Sequence, residues 1–208
     1  MQNKSIYIDL DGVIINPCNR LYNIYKELMK NKPILSKKEY WGFKRRKISE
    51  EEILRKTVNN EIFIKNYIKK RKNLIEQMNY LKYDKLFKNS IKSLKKLKED
   101  NRIILVTRRY DKKNLFKQLK MLNLKNIFDK ILVSGMKSKK ELILGDQYFD
   151  KKNSIIIGDT EEDIQTGRSL GIKTIAVLSG IREKKYLKEY KPNLIIESLN
   201  NFVGKGVK

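Results

Sequence analysis

IYIDLDGV, residues 6–13, is a short apolar run that ends in two aspartates separated by one leucine. Ile6, Tyr7 and Ile8 suit a strand buried on both faces. Period-two geometry puts Asp9 and Asp11 on one face, and Gly12 lets the chain turn sharply as it leaves the sheet. The stretch predicts two carboxylates at the carboxyl end of a central strand, where open α/β sheets keep their ligands. Like charges so close need a cation or a proton between them. A hard divalent ion such as Mg²⁺, held by oxygens together with a substrate phosphate, is the simplest candidate. The plainer alternative is a turn whose aspartates cap the segment that follows.

The same pattern recurs downstream. IIIGDTEED, residues 155–163, is a second buried run, closed by a glycine turn and followed by acids. Asp159 falls at the strand end and Asp163 one helical turn later on the same side, so both face one cation; Asp159 and Thr160 also suit a helix N-cap. Ile103 to Val106 reads as a strand ending in Thr107, whose hydroxyl and following amides are placed to hold a phosphate oxygen. Lys137, in GMKSKKEL with Lys139 and Lys140 beside it, offers a positive charge to a transferred group. From Arg102 onward strands and helices alternate: strand 127–133, helix around 141–144, strand 154–157, helix 161–170, strand 174–177, strand 194–196 and a tail ending in GKGVK. Right-handed crossovers then give an α/β fold, a Rossmann-like parallel sheet with helices on both faces.

Between residues 14 and 85 the only glycine is Gly42, and the pattern is helical. Pro17 suits a helix start, Ser36 with Glu39 forms a capping box, Ser49 precedes three glutamates that favour a helix N-terminus, and Ile62 to Met78 reads as one long helix. Residues 16–85 are therefore expected to form an inserted α-helical cap of four helices, and residues 1–15 and 86–208 the catalytic core, with a helix from about Phe87 to Glu99 returning to it.

Composition bounds the chemistry. The chain has 208 residues, 40% apolar and 35% charged, enough for a core domain with a modest insert. No apolar run approaches bilayer length, and MQNKSIYIDL lacks a signal-peptide pattern, so a cytoplasmic location and no membrane partner are expected. One cysteine excludes an intramolecular disulfide, and the absence of histidine excludes Cys-His and Ser-His nucleophile pairs and histidine-ligated metals. Catalysis is left to carboxylates, lysine, arginine and hydroxyls. The net charge of +24 is spread along the chain and dominated by lysine, which reads as a solvated surface; nucleic acid is not the expected partner.

In their order, these motifs resemble the haloacid dehalogenase superfamily of phosphohydrolases. DLDGV at 9–13, Thr107, Lys137 and GDTEED at 158–163 match its four motifs, and GDTxxDIxxGxxxGIxT runs on to residue 174. The helical insert between the first two motifs resembles the small cap of the phosphoglycolate phosphatase and β-phosphoglucomutase branch. The resemblance implies Asp9 as nucleophile and Asp11 as general acid and base. It implies Mg²⁺ bound by the Asp9 carboxylate, the Asp11 carbonyl and Asp159, with Asp163 in support. Thr107 and Lys137 would stabilise the phosphoryl oxygens. It further implies a small phosphorylated metabolite as substrate, selected by the cap, where YWGFKRRK at 40–47 offers Trp41 as a wall and Arg45 and Arg46 as anion contacts. Arg108 and Arg109 offer another. An acid two residues beyond the nucleophile favours phosphate esters over halides. A phosphosugar mutase and a basic nucleic-acid-binding module are the rival readings.

Overall fold

The computed structural model describes residues 4–58 and 60–203; the tail GKGVK lies outside them. Strand β1 (Lys4–Ile8) is central because its side chains are apolar on both faces, with Ile6, Tyr7 and Ile8 fully buried. It pairs in parallel with β4 (Asn101–Thr107) on one side and β6 (Ser154–Gly158) on the other, Ile6 facing Ile103 and Ile155. β5 (Lys130–Val133), β7 (Lys173–Val177) and β8 (Leu194–Ile196) complete a six-stranded sheet of order β5-β4-β1-β6-β7-β8, parallel throughout.

The alternation of side chains assigns the helices to faces. Ile6, Ile8, Ile103, Leu105, Ile155 and Ile157 pack with Leu94 and Leu97 of α6 (Ser90–Lys98), Leu115 and Leu119 of α7 (Lys112–Met121), and Leu199 and Phe202 of α11 (Leu199–Val203). Tyr7, Ile104, Val106 and Ile156 pack on the other face against Ile143 of α8 (Lys139–Leu144) and Leu170 of α9 (Glu161–Leu170). α10 (Lys184–Glu189) covers Ala176 through Leu187. Chain order runs outward from β1 through β4 to β5 and then resumes on its other side at β6. The carboxyl end of β1 is therefore the switch point where a crevice opens.

The insert holds its own core. α1 (Cys18–Leu28), α2 (Lys37–Arg45), α3 (Glu50–Arg55) and α4 (Glu61–Leu74) pack around Leu21, Tyr25, Tyr40, Ile53, Leu54, Ile64 and Tyr67, with the rings of Tyr25 and Tyr40 stacked 4.7 Å apart. The expected capping box of Ser36 with Glu39 forms, and Ser49, expected to open a helix, makes a second one with Glu52. The single helix expected over 62–78 is divided: α4 ends at Leu74 and a short α5 (Met78–Leu81) follows. No proline or glycine causes the break. Glu76 is drawn instead onto the core, where its carboxylate accepts the backbone N–H groups of Tyr110 (2.9 Å) and Asp111 (2.8 Å) and its carbonyl accepts Asn114 Nδ2 (3.1 Å) at the start of α7. The returning helix likewise begins later than Phe87. Residues Lys85–Leu86 form β3, antiparallel to β2 (Ile15–Asn16), and Asn89 in the left-handed region (φ 62°) precedes α6. Among the described residues no helix is long and apolar enough to cross a membrane.

Candidate active site

Asp9 leaves the end of β1 with its N–H donating to Ile157 of β6 (3.0 Å). Its carboxylate, Asp159 after β6 and Asp163 in the first turn of α9 are buried, and each offers an oxygen within 4.8 Å of the other two. The turns that bring them together depend on glycine. Gly12 has φ +80°, and a Cβ there would stand 2.1 Å from Asp159 Oδ2; at Gly180 it would stand 2.0 Å from the same atom. The Ile181 N–H donates to Asp159 Oδ2 (2.6 Å), and Asp163 accepts the Thr160 N–H (3.1 Å) and hydroxyl (2.7 Å) in the capping box of α9.

Among the described residues one ammonium serves the cluster, that of Lys139, 3.1 Å from Asp9 and 2.6 Å from Asp163. This corrects the expectation for Lys137, which is exposed. Ser138 and Glu141 form a capping box that starts α8 at Lys139, and the first helical residue turns its side chain back toward the sheet end. Burial alone would lower the Lys139 pKa, but Asp163 and Asp9 outweigh it and hold the ammonium protonated. Burial pushes the Asp9 carboxyl up to about 7, with Asp163 and Asp11 adding to it and Lys139 opposing. Asp159 is raised well above the carboxylate range by burial, then by Asp9 and Asp163. Three buried acids sharing one ammonium leave two negative charges in excess, and their oxygens are close enough to meet on one small ion. That donor set fits a divalent hard cation.

Asp11 stands apart from this cluster. Arg109 grips it through Nε (2.9 Å) and Nη2 (3.0 Å), and Arg20 through Nη2 (2.7 Å). Burial works to raise its pKa, but Arg109 and Arg20 prevail and keep it ionised. Behind the arginines lies Asp84, buried, 3.4 Å from Arg20 and 3.6 Å from Arg109 and accepting Gln118 Nε2 (2.7 Å). Arg20 and Asp84 belong to the insert, Arg109 and Gln118 to the core. Thr107, nearly fully buried at the end of β4, lines a cavity of 260 Å³ with Asp9, Asp11, Arg20, Arg108 and Arg109. Arg108 is exposed there, 3.4 Å from Glu162.

The cap residues expected at the substrate are placed elsewhere. Trp41 packs on the cap core, Arg46 lies exposed with its guanidinium 5.2 Å from the Phe43 ring, and Arg45 donates to the carbonyls of Leu178 (3.2 Å) and Gly180 (2.7 Å), holding the cap to the core. A second cavity of 240 Å³ over Asp9, Asp11 and Asp159 is lined by Lys44 and Arg71 instead. α2 therefore turns Lys44, not Arg45, inward, a choice that adjacent basic residues in sequence do not reveal. A larger groove of 620 Å³ beside α6 and α11 holds a single acid, Glu99, already paired with Lys96, so the carboxylates and not cavity size mark the site.

The family model of haloacid dehalogenase-like hydrolases matches residues 6–177, which includes every acid of this cluster. The chain belongs to that family. Among curated relatives of this hydrolase, pyrophosphatase PpaX of Halalkalibacterium halodurans is 25% identical over 131 residues. That match takes in 58% of this chain and spans 61% of the relative's length. The fold is shared with a haloacid dehalogenase-like hydrolase of Streptococcus pneumoniae (TM-score 0.81, 22% identity, 98% of each chain covered). It is shared also with a hydrolase of Bacillus subtilis described as bound to magnesium (TM-score 0.69, 17% identity, 97% of each chain covered).

Proposed function

We propose that this hydrolase is a Mg²⁺-dependent phosphatase of a small phosphorylated metabolite, working through an aspartyl-phosphate on Asp9. The observation that carries the reading is the charge imbalance at Asp9, Asp159 and Asp163, which among the described residues Lys139 alone opposes. With Mg²⁺ bound, these three residues would hold it, and it would draw charge from the phosphoryl oxygens. Asp9 attacks phosphorus, forming one P–O bond as the bond to the leaving oxygen breaks. Asp11, held ionised by Arg20 and Arg109, would leave them and take up a proton from solvent as substrate binds, and would give that proton to the leaving oxygen. A water then attacks phosphorus, its proton passes to Asp11, and phosphate leaves as the Asp9 carboxylate is restored. Lys139, 3.1 Å from Asp9, would fix its oxygen, and Thr107, which lines a cavity with Asp9 and Asp11, would donate to the transferred group. Such a division suits phosphoryl transfer, which asks for positioning and charge neutralisation.

The test is phosphate release from an aryl phosphate and a panel of phosphorylated metabolites, with Mg²⁺ or EDTA. Metal-dependent turnover is expected, with a loss of at least about 10³-fold in Asp9→Asn. Turnover unaffected by that substitution would overturn the aspartyl-phosphate route.

A further inference from the structure

The roof of the site carries a positive charge that the transfer chemistry leaves unused. Lys44 of α2 and Arg71 of α4 line the cavity above Asp9 and Asp159, and both reach Glu50, at 3.1 and 3.4 Å. Glu50 is buried and well supplied with donors: it accepts from Tyr67 (2.7 Å), Tyr40 (3.1 Å) and Lys44. One carboxylate balances one cation. Arg71 is left in surplus, and its buried Nε makes no hydrogen bond. The neighbouring Arg182 draws on Glu161, which the exposed Lys47 also reaches (3.0 Å), and donates to the Lys44 carbonyl.

The floor of the cavity is closed by comparison. Asp11 and Asp84 match Arg20 and Arg109, and Asp9, Asp159 and Asp163 with Lys139 match one divalent ion. A partly buried cation without a counter-charge is costly, so a partner from outside the chain is the economical explanation.

We propose that Lys44 and Arg71 receive a second anionic group of the substrate, a carboxylate or phosphate a few atoms from the transferred phosphoryl group. The assignment rests on the phosphatase reading and narrows it: the substrate is a small, doubly anionic phosphate ester or anhydride. Size agrees. At ~30 Å³ per water-sized share of volume, the 240 Å³ cavity holds a molecule of roughly ten heavy atoms or fewer. The planar Arg71 fork suits either anion, and Lys44 adds a point charge.

Binding of three phosphonates, whose C–P bond cannot be hydrolysed this way, separates this proposal from the hydrolysis reading. Calorimetry on the wild-type protein with excess Mg²⁺ would compare phosphonoacetate, methylenebisphosphonate and ethylphosphonate. At least one of the two doubly anionic probes is expected to bind about tenfold or more tighter than ethylphosphonate, the size of effect a charged hydrogen bond supplies, and the better one names the anion. Arg71→Met leaves Glu50 matched by Lys44, and Lys44→Met leaves it matched by Arg71. Each is expected to cut that preference to within about threefold while ethylphosphonate binding holds. Equal wild-type affinity for all three, or no binding of any, overturns the proposal. So does a variant that weakens ethylphosphonate as much as the others, because the pair would then serve the transferred phosphoryl group.

Discussion

At the scale of single residues, Lys139 and Lys137 make a sharp contrast two positions apart. Lys139 is buried between Asp9 and Asp163, whereas Lys137 is exposed. Lys139→Met removes the ammonium paired with Asp9 and Asp163 from three buried acids, so metal-free stability is expected to fall by about 3–5 kcal/mol and activity by at least about 10³-fold, with Mg²⁺ restoring much of the stability. Lys137→Ala is expected to leave stability within about 0.5 kcal/mol and turnover nearly unchanged. Thermal melts with and without Mg²⁺, beside a phosphate-release assay, check both. The aspartates were readable from sequence because Asp9 and Asp159 each close an apolar strand beside a glycine, Gly12 after the one and Gly158 before the other, and Asp163 follows Asp159 by one helical turn. Three lysines within four positions gave no such marker except the Ser138–Glu141 capping box, which fixes Lys139 as the first helical residue. Arg20 and Asp84 were not readable at all, since each meets its partners Asp11 and Gln118 only when insert and core come together.

At the scale of elements, the loop from Leu178 to Arg182 joins what happens on the cap to what happens at the acidic cluster. Arg45 holds its carbonyls from above, Ile181 donates to Asp159 below, and Ser179 Oγ donates to the Gly12 carbonyl (2.8 Å). Arg45→Ala is expected to cost about 1–2 kcal/mol and to speed amide exchange across this loop, with Ile181 the most affected. Exchange confined to the cap, with Ile181 unchanged, would show that the loop does not respond to the cap. Gly12→Ala combines a positive φ with a Cβ 2.1 Å from Asp159. It is expected to lower stability by about 2–4 kcal/mol and to displace Asp159, read as a loss of Mg²⁺ binding in calorimetry. Long periodic segments were legible in sequence, and helix 161–170 falls where its pattern put it. The two-residue strands β2 and β3 were not, because two residues have no periodicity. The break after Leu74 was hidden for another reason: its cause is Glu76 capping a helix of the core, a partner thirty residues and more away.

At the scale of the whole molecule, charge governs two measurable properties. The acidic cluster is short of counter-charge, with Lys139 set against three acids, while the chain as a whole has a large positive surplus, +24. Mg²⁺ at about 100 times its Kd is expected to raise stability by ~2.7 kcal/mol, several degrees in Tm. Because burial holds Asp9 up at about 7 when no cation is bound, protons compete with the metal, and the gain in Tm is expected to shrink as pH falls below that value. Raising NaCl from low to moderate concentration is expected to increase Tm at constant Mg²⁺, since screening relieves repulsion among the surface lysines. The β2–β3 pair has a consequence of a different kind. The chain departs from the sheet at Ile15–Asn16 and returns beside itself at Lys85–Leu86, so residues 17–84 form a detour whose two ends are neighbours. Over evolutionary time such a detour can be lengthened, shortened or exchanged for another without moving the strand that carries Asp9, and a lineage can change its diet while keeping its chemistry.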